Sequence, residues 1–345
     1  MKNFVYSLMT DRRKGVMFMP FKLVLYLLSL VYGLAIYCRK LLYRFKIFRS
    51  QRVPIKIISV GNLTLGGTGK TPFVIKLAEI LEHELRKETA VLIRGYGWDE
   101  QAMLKKKLPD VPILVGEDRA RLSHKAIRLY GTRIAILDDG FQYWELERNL
   151  NIVLVDSRSP FGNGHLFPRG VLREPVSALG RADVVVFTKT NKKAADLEML
   201  KADIKKIKAA IVFLEAAHKP KELYDHKARK AFPLSFLAGR KVVLLSSIGD
   251  PVYFEETARD LGARVVDHIA FSDHHNYRAS DAERIKKRCG AKALDLILTT
   301  EKDAVKLARM SISFGDYSMM TLSIEMDITS GKELLIDRLH SLHIG

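Results

Sequence analysis

The most informative stretch of this chain is Val60-Gly61-Asn62-Leu63-Thr64-Leu65-Gly66-Gly67-Thr68-Gly69-Lys70-Thr71. It follows a mostly apolar run, Ile55–Val60, and precedes a helical pattern that begins near Pro72. A strand, a glycine-rich turn and a helix start form a phosphate cradle, because backbone N–H groups and the helix N-terminus bind phosphate oxygens. A chance glycine-rich turn is the alternative, and the strand–loop–helix context disfavours it.

The residues of this glycine loop have distinct roles in such a cradle. Lys70 would reach the β- and γ-phosphates of ATP, and the Thr71 hydroxyl would ligate Mg²⁺. The general motif, G-x-x-x-x-G-K-[ST], has a first glycine where this chain has Thr64. The predicted nucleotide-binding residues are consecutive: Thr64, Leu65, Gly66, Gly67, Thr68, Gly69, Lys70 and Thr71.

Two adjacent carboxylates, Asp138 and Asp139, follow the short apolar run Ile134–Leu137. A short apolar run without alternation is typical of a buried strand. Phosphate-cradle enzymes hold Mg²⁺ with an acidic residue in such a place, and carboxylate oxygens suit this hard cation. A surface turn capped by Asp-Gly is the alternative. Since the cradle is present, we predict that Asp138 and Asp139 bind the metal together with Thr71.

Composition sets the broad class. The chain has 345 residues, enough for about two domains, and its 48% hydrophobic content is ordinary for a globular protein. The formal net charge of +18 suggests an anionic partner, which could be nucleic acid, a membrane surface or a phosphorylated substrate. The two cysteines, Cys38 and Cys289, have neither disulfide-framework nor zinc spacing, which fits a reducing compartment.

The N-terminal region favours a membrane surface among these partners. Leu23–Cys38 carries no charge, and six basic residues follow within a short distance. The run is short for a span, and it lacks the small-residue cleavage site of a signal peptide. Cations beside an apolar helix bind anionic lipid headgroups with about 1 kcal/mol each. We predict an interfacial helix or shallow anchor with the remaining chain cytoplasmic; a buried core helix is the alternative.

Beyond residue 52 the pattern alternates strands and helices. This order predicts an α/β fold, a P-loop NTPase-like, mostly parallel sheet with helices on both faces. Ligands bind at the carboxyl ends of such strands, where the glycine loop, Arg94 and the Asp pair all fall. The predicted regions are a membrane-associated helix with a basic segment (1–52), a nucleotide-binding domain (53–215), a polar connector (216–240) and a smaller C-terminal α/β domain (241–345).

Several separated motifs match one family in its order. They are Gly61–Pro72, Arg94-Gly95-Tyr96-Gly97, Val115–Arg119, Leu137-Asp138-Asp139-Gly140-Phe141-Gln142, Phe161–Gly164, Leu172-Arg173-Glu174-Pro175, Asp273-His274 and Thr299–Asp303. On these motifs the chain resembles the tetraacyldisaccharide 4'-kinases, the membrane-bound kinases of lipid A biosynthesis. The Thr64 departure from the general cradle motif is normal for that family.

The resemblance implies transfer of the γ-phosphoryl group of ATP to the 4'-hydroxyl of an acylated glucosamine disaccharide 1-phosphate. Lys70 and Mg²⁺ would neutralise the transferring group, since phosphoryl transfer depends mainly on positioning and charge. Asp99 would take the hydroxyl proton, and His274 would pair with it from the other domain, making domain closure part of catalysis. The implied substrate-binding residues are Asn62, Arg94, Arg119, Arg173 and Glu174; the arginines could instead form structural ion pairs.

Two departures from the family pattern bear on these roles. The family usually has Gly-Asp-Glu-Pro where the best match in this chain is Trp98-Asp99-Glu100-Gln101, so only the two acidic residues are retained. Tyr143 stands where the family commonly has histidine. The resemblance also implies a monomer at the inner membrane of a Gram-negative bacterium, with its catalytic domains on the cytoplasmic side.

Three rival functions remain open from the sequence alone. A GTPase switch also uses this cradle, but its guanine-reading motif ends in Asp, where Thr188-Lys189-Thr190-Asn191 ends in Asn. A membrane-associated nucleic-acid-binding protein would fit the charge, but no nucleic-acid motif is present, and we expect no nucleic-acid partner. A related kinase with another lipid acceptor has no distinguishing feature in the sequence.

Overall fold

The computed structural model describes residues 2–95, 97–192, 195–290, 294, 296–309 and 317–342. The chain divides into two compact units. The first unit comprises Met1–Arg94, Asp110–Ala217 and Asp327–Gly345, and the second comprises Gly95–Pro109 and His218–Met326. Tyr96 of the Arg-Gly-Tyr-Gly motif lies outside the described residues.

Strands and helices alternate along most of the chain. The strands are β1 (Lys56–Asn62), β2 (Thr89–Ile93), β3 (Ile113–Val115), β4 (Ile134–Asp138), β5 (Leu150–Asp156), β6 (Val184–Thr188), β7 (Val212–Asp225), β8 (Lys230–Phe232), β9 (Lys241–Ser246), β10 (Arg264–Ala270), β11 (Leu296–Thr300) and β12 (Ser318–Ser330). The helices are α1 (Lys2–Met9), α2 (Met19–Arg44), α3 (Lys70–Glu79), α4 (Trp98–Lys107), α5 (Arg119–Tyr130), α6 (Leu197–Ile207), α7 (Pro251–Asp260), α8 (Ala279–Gly290), α9 (Glu301–Arg309) and α10 (Lys332–His340).

The first unit is built on a parallel sheet in the order β6-β5-β1-β4-β2-β3. Its strands are apolar because both faces are covered, as parallel sheets require. Ala120 and Ala126 of α5 belong to one apolar cluster, and Ile204 of α6 belongs to another. β1 lies between β4 and β5, so the glycine loop and the Asp pair emerge from neighbouring strands. The predicted parallel α/β sheet is confirmed.

The second unit has its own parallel strands, in the order β10-β9-β11-β12. The end of β7 pairs with β8 as an antiparallel hairpin. Two apolar clusters stabilise this unit, one around Leu244 and Phe254 and the other around Tyr277 and Leu307. α4, which leaves the first unit at Gly95, packs on α9 in this unit.

α2 carries an exposed apolar surface and a row of tyrosines that contacts the rest of the first unit. Within the described residues, one helix, Val16–Arg44, is long and apolar enough to cross a membrane. The Tyr32 hydroxyl donates a hydrogen bond of 3.0 Å to the backbone carbonyl of Arg173. The ring of Tyr43 packs on Trp144, with 5.4 Å between centroids. α2 is thus attached to the two loops that follow β4 and β5.

The domain boundaries differ from the predicted ones in three places. The predicted connector 216–240 is wrong, because β7 continues to Asp225 with Leu223 and Asp225 buried, and β8 follows. Residues 95–109 belong to the second unit, and residues 327–345 belong to the first. These assignments follow from packing between segments far apart in sequence, which local composition does not report.

Candidate active site

The glycine loop is held in place by contacts with neighbouring residues. Asn62, at the end of β1, donates to the Thr64 carbonyl at 2.7 Å and accepts from Lys70 Nζ at 3.1 Å. The Thr188 hydroxyl donates to the Thr68 carbonyl at 2.9 Å. Gly69 has φ +86°, a left-handed conformation that glycine adopts without strain, immediately before α3. The loop is therefore a formed cradle at a helix N-terminus.

Two features of this cradle fit a phosphate ligand. The Thr68 hydroxyl is buried and has no hydrogen-bond partner within the described part of the chain. A buried polar group without a partner is costly, so such an atom in a cradle fits a site that a ligand completes. Lys70 lies at the first turn of α3, where its charge adds to that of the helix dipole.

Thr71 and Asp138 provide oxygen ligands of the kind that Mg²⁺ prefers. Thr71 Oγ1, in the first turn of α3, lies 3.5 Å from Asp138 Oδ2 at the end of β4. Mg²⁺ binds oxygen at about 2.0–2.1 Å and keeps several waters, so two nearby oxygens fit one ion. The predicted pair of Thr71 and Asp138 is thus brought together by the structure.

Asp139 has a different environment from Asp138. Its carboxylate accepts from Arg173 Nη1 at 2.9 Å through both oxygens, and Lys70 Nζ lies 3.6 Å away. Burial would raise the pKa of Asp139, but the charges of Lys70 and Arg173 outweigh burial and hold the pKa below its usual value. Gln142 Oε1 also faces Arg173, at 3.4 Å. Asp139 is therefore an anion that orders two cations beside the cradle.

A second cluster of charged residues lies in the second unit around Asp99. The Asp99 carboxylate is only 4% exposed, and three cationic side chains of the described residues surround its Oδ2 atom. Lys306 Nζ lies at 3.3 Å, His274 Nδ1 at 3.7 Å and Lys302 Nζ at 3.9 Å. Oδ2 accepts no hydrogen bond from the described residues, so it keeps acceptor capacity.

The pKa values of this cluster follow from its charges. Burial alone would raise the pKa of Asp99, but His274, Lys302 and Lys306 outweigh it and hold the pKa well below its usual value. The interaction with Asp99 raises the pKa of His274 above 6.5, although partial burial opposes this. The cluster therefore holds an ionised carboxylate and favours the imidazolium form.

Glycine at position 97 leaves room for the side chains of Asp99 and His274 to approach each other. A Cβ atom there would lie 2.4 Å from Asp99 Oδ1 and 3.4 Å from His274 Nδ1. His274 itself has φ +58°, in the left-handed region that non-glycine residues rarely adopt. The backbone on both sides is thus arranged to bring these two side chains together.

The predicted placement of Asp99 and His274 in different domains is wrong. Sequence reasoning placed His274 in the other domain from Asp99, whereas both lie in the second unit. The reason is that α4 is held on α9 by ion pairs: Lys107 Nζ lies 2.6 Å from Glu301 and Lys302 Nζ 3.5 Å from Glu100. Domain closure is not needed to bring Asp99 and His274 together.

The predicted substrate-binding residues divide into two groups. Arg94 is exposed at the end of β2, and Arg173 is half-buried beside Asp139. The other three are buried and contact neighbouring residues, and their role in substrate binding stays a prediction. Asn62 supports the loop, Arg119 donates to the carbonyls of Gly116 and Glu117, and Glu174 pairs with Arg181 at 2.8 Å.

Tyr143 has a structural role in place of the histidine that the resemblance led us to expect. Its hydroxyl accepts from the backbone N–H of Arg119 at 3.2 Å, at the first turn of α5. Its ring lies under the Arg119 guanidinium, 5.1 Å from centroid to Cζ. Tyr143 therefore fixes the start of α5 and the buried arginine.

Sequence reasoning missed Lys306 and gave no role to Lys302 or Gln142. Lys302 and Gln142 lay inside matched motifs, which was the available signal. Lys302 and Lys306 are four residues apart, a spacing that places two side chains on one helix face. That spacing could have indicated a cationic face on α9.

Comparisons with known proteins agree with one another. Residues 21–341 match the family described as tetraacyldisaccharide-1-P 4'-kinase. The tetraacyldisaccharide 4'-kinase of Syntrophus aciditrophicus is 38% identical over 84% of this chain and 86% of its own length. That of Halothermothrix orenii is 36% identical over 91% of both. The crystal structure of LpxK from Aquifex aeolicus in complex with ATP has a TM-score of 0.68 and 26% identity, covering 94% of this chain and 98% of that one.

Proposed function

The chain belongs to the tetraacyldisaccharide-1-P 4'-kinase family, and on that premise we propose that it transfers the γ-phosphoryl group of ATP to the 4'-hydroxyl of a tetraacylated glucosamine disaccharide 1-phosphate. The observation that carries this proposal is the formed glycine loop, with Lys70 and Thr71 beside Asp138. Members of this family are transferases of lipid A biosynthesis, and this loop is the part of such an enzyme that binds the phosphates of ATP.

Lys70 would contact the β- and γ-phosphates, and the loop from Thr64 to Thr71 would donate backbone hydrogen bonds to them. Thr71 and Asp138 would hold Mg²⁺, which neutralises charge on the phosphate oxygens when bound. Asp139 would orient Lys70 and Arg173, and it would become a metal ligand only by releasing Arg173. Arg94 and Arg173 remain candidates for contacts with phosphate groups.

Asp99 would accept the proton of the attacking hydroxyl. A strongly ionised carboxylate orients the hydroxyl and takes its proton as the new P–O bond forms, as the catalytic Asp of protein kinases does. His274, 47% exposed beside it, would orient this carboxylate.

The exposed apolar surface of α2 supports a place on the membrane. Its lipid substrate would then remain in the bilayer, because each exposed CH₂ costs about 0.8 kcal/mol in water. The basic residues after Cys38 would contact anionic headgroups. We propose a monomer on the cytoplasmic side of the inner membrane.

The test is phosphate transfer from γ-labelled ATP to the tetraacylated disaccharide 1-phosphate in detergent micelles with Mg²⁺. The wild type should transfer phosphate. Lys70→Met should lower kcat about 10²- to 10³-fold, because it removes a charge that stabilises the transition state. Asp99→Asn should lower it about 10²- to 10⁴-fold, the range for general-base catalysis.

The same assay includes a control variant, and two outcomes would support the alternative functions. Lys286→Met, at a lysine of α8 whose side chain is 39% exposed, should retain wild-type kcat. Folded wild-type protein that binds ATP but phosphorylates a different lipid would support the related-kinase alternative. Preference for GTP in a competition assay would support the switch alternative.

A further inference from the structure

Lys306 is a buried cation whose nearest carboxylate is that of Asp99. Its side chain is 3% exposed, and Nζ lies 3.3 Å from Asp99 Oδ2. Nζ also donates to Ser247 Oγ at 2.8 Å. A buried ammonium group is costly unless it is paired and hydrogen-bonded, so these contacts fix its position.

Asp303 is the other carboxylate near Lys306, and neutral donors already satisfy it. Tyr277 OH donates to Asp303 at 3.1 Å and Thr300 Oγ1 at 2.7 Å, while Ser247 donates through both its N–H and its hydroxyl. Lys306 Nζ is 3.9 Å from Asp303, farther than from Asp99. The cluster therefore directs the charge of Lys306 toward Asp99.

Lys302, the neighbouring cation, has other partners. It lies closer to Asp273 and Glu100, at 3.4 and 3.5 Å, than to Asp99 at 3.9 Å. His274 is half-exposed, and its charge depends on pH. Of the three cations that face Asp99, Lys306 combines the shortest distance with the deepest burial.

We propose that Lys306 is a positioning residue for phosphoryl transfer: it fixes the orientation of the Asp99 carboxylate and keeps it ionised. The proposal rests on the role of Asp99 proposed above. Without Lys306, Asp99 would face His274 and Lys302 on one side and the like charges of Glu100 and Asp273 nearby. It would then be less firmly oriented and would bind a proton at higher pH.

The kinetic test compares Lys306→Met, Lys306→Arg and wild type in the micelle assay. Lys306→Met should lower kcat at least tenfold while leaving the KM for ATP unchanged, because the glycine loop lies in the other unit. The acidic limb of its pH–rate profile should move to higher pH. Lys306→Arg should recover part of kcat by restoring the charge, and Lys286→Met should behave as wild type.

A double-mutant cycle with Asp99→Asn separates positioning from general damage to the fold. Lys306→Met should lower the thermal unfolding midpoint much more in the wild type than in Asp99→Asn, where no charge needs a partner. It should also add little to the kcat loss of Asp99→Asn. Equal effects in both backgrounds, or a Lys306→Met kcat within twofold of wild type, would overturn the proposal.

The kinetic and stability measurements distinguish failure of the proposed function from failure of the Lys306 proposal. Absence of phosphate transfer by wild-type protein would contradict the proposed function, while the coupling in unfolding midpoints would still test the Lys306–Asp99 pairing. Transfer by wild type with no coupling between Lys306 and Asp99 would leave the kinase and reject the positioning role.

Discussion

Asp139 and His274 are held in a backbone conformation that side chains disfavour. Their φ angles are +56° and +58°. A non-glycine residue in this region costs about 1–3 kcal/mol, and such strain persists only where neighbouring contacts enforce it. Arg173 and Lys70 hold Asp139, while Asp99 and Lys302 contact His274. Both residues face the proposed chemistry, although five other described non-glycine residues also have a positive φ.

The pairing of His274 with Asp99 predicts a pH-dependent contribution to stability. The raised pKa of His274 means that its contribution is complete below pH 6.5 and is lost as pH rises through the raised pKa. The lowered pKa of Asp99 means that its contribution is present above pH 3.8 and is lost at lower pH. His274→Gln should therefore lower the thermal midpoint most between these values and least at alkaline pH.

Thermal melts of both proteins from pH 5 to pH 9 check this window. Substitution of the exposed His340 by Gln is the matched control and should shift no midpoint relative to wild type. A midpoint difference for His274→Gln that grew with rising pH would contradict the charge pairing.

Gly61 lies where β1 closely approaches the loop after β4, so we expect a larger side chain at this position to clash with that loop. A Cβ atom at this position would lie 2.5 Å from Phe141 Cβ and 2.8 Å from its backbone nitrogen. Gly61→Ala should destabilise the first unit by about 1–3 kcal/mol, the usual cost of overpacking, and should lower the unfolding midpoint. Gly180→Ala is the control, since its nearest atom would be Ile207 Cγ2 at 3.7 Å. Equal midpoints for the two variants would refute the close approach.

Sequence motifs predicted those site residues whose positions depend only on local structure. Lys70, Thr71 and Asp138 were predicted because a helix start and a strand end fix their positions. The burial of Asn62 and Arg119 could not be predicted, because sequence gives residue type but not burial. Their side chains are directed inward by contacts with Thr64 and with residues 116–117, and these contacts depend on the fold.

At the scale of elements, apolar runs predicted the buried strands closely. β1 overlaps the predicted apolar run Ile55–Val60, and β4 extends one residue beyond the predicted Ile134–Leu137. β7 was missed because its second half contains Pro220 and is mostly exposed, with only Leu223 and Asp225 buried. The pairing of α4 with α9 was also missed, because these helices lie far apart in the sequence. Local periodicity therefore predicts the elements but not their long-range partners.

Because α2 exposes apolar side chains, we predict that this helix binds membranes. Leu27 and Val31 are 54% and 66% exposed on this helix. Burial of such a side chain contributes about 1.5–3 kcal/mol, so Leu27→Glu combined with Val31→Glu should weaken binding to anionic vesicles at least tenfold. Vesicle co-sedimentation measures this. Met199→Glu, at a residue of α6 that is 64% exposed, is the control and should leave binding unchanged.

Retention of vesicle binding by the double variant would contradict the role of the apolar surface. If high salt then released that variant, the basic residues after Cys38 would account for binding, since salt screens exposed charges. A fall in the thermal midpoint of the double variant in detergent would instead show that these side chains support the fold.

At the scale of the whole molecule, each unit has its own apolar clusters, and the glycine loop belongs to the first. Binding of ATP with Mg²⁺ should therefore stabilise β1, α3 and β4. At a ligand concentration of about 100 times Kd, linkage predicts about 2.7 kcal/mol. Hydrogen exchange with and without the nucleotide measures this, and Lys70→Met is the control, in which protection should disappear. Equal protection in both proteins would place the nucleotide elsewhere.

The hydrogen bond from the Tyr32 hydroxyl to the Arg173 carbonyl would connect the proposed membrane helix to the proposed catalytic residues, independently of the substrate's acyl chains. Arg173 holds Asp139, and Asp139 faces Lys70. A bilayer that holds α2 in place would therefore also hold in place the residues that are proposed to contact the γ-phosphate. If α2 lies in a membrane as proposed, turnover of even a water-soluble, short-chain acceptor should depend on the lipid or detergent that surrounds this helix.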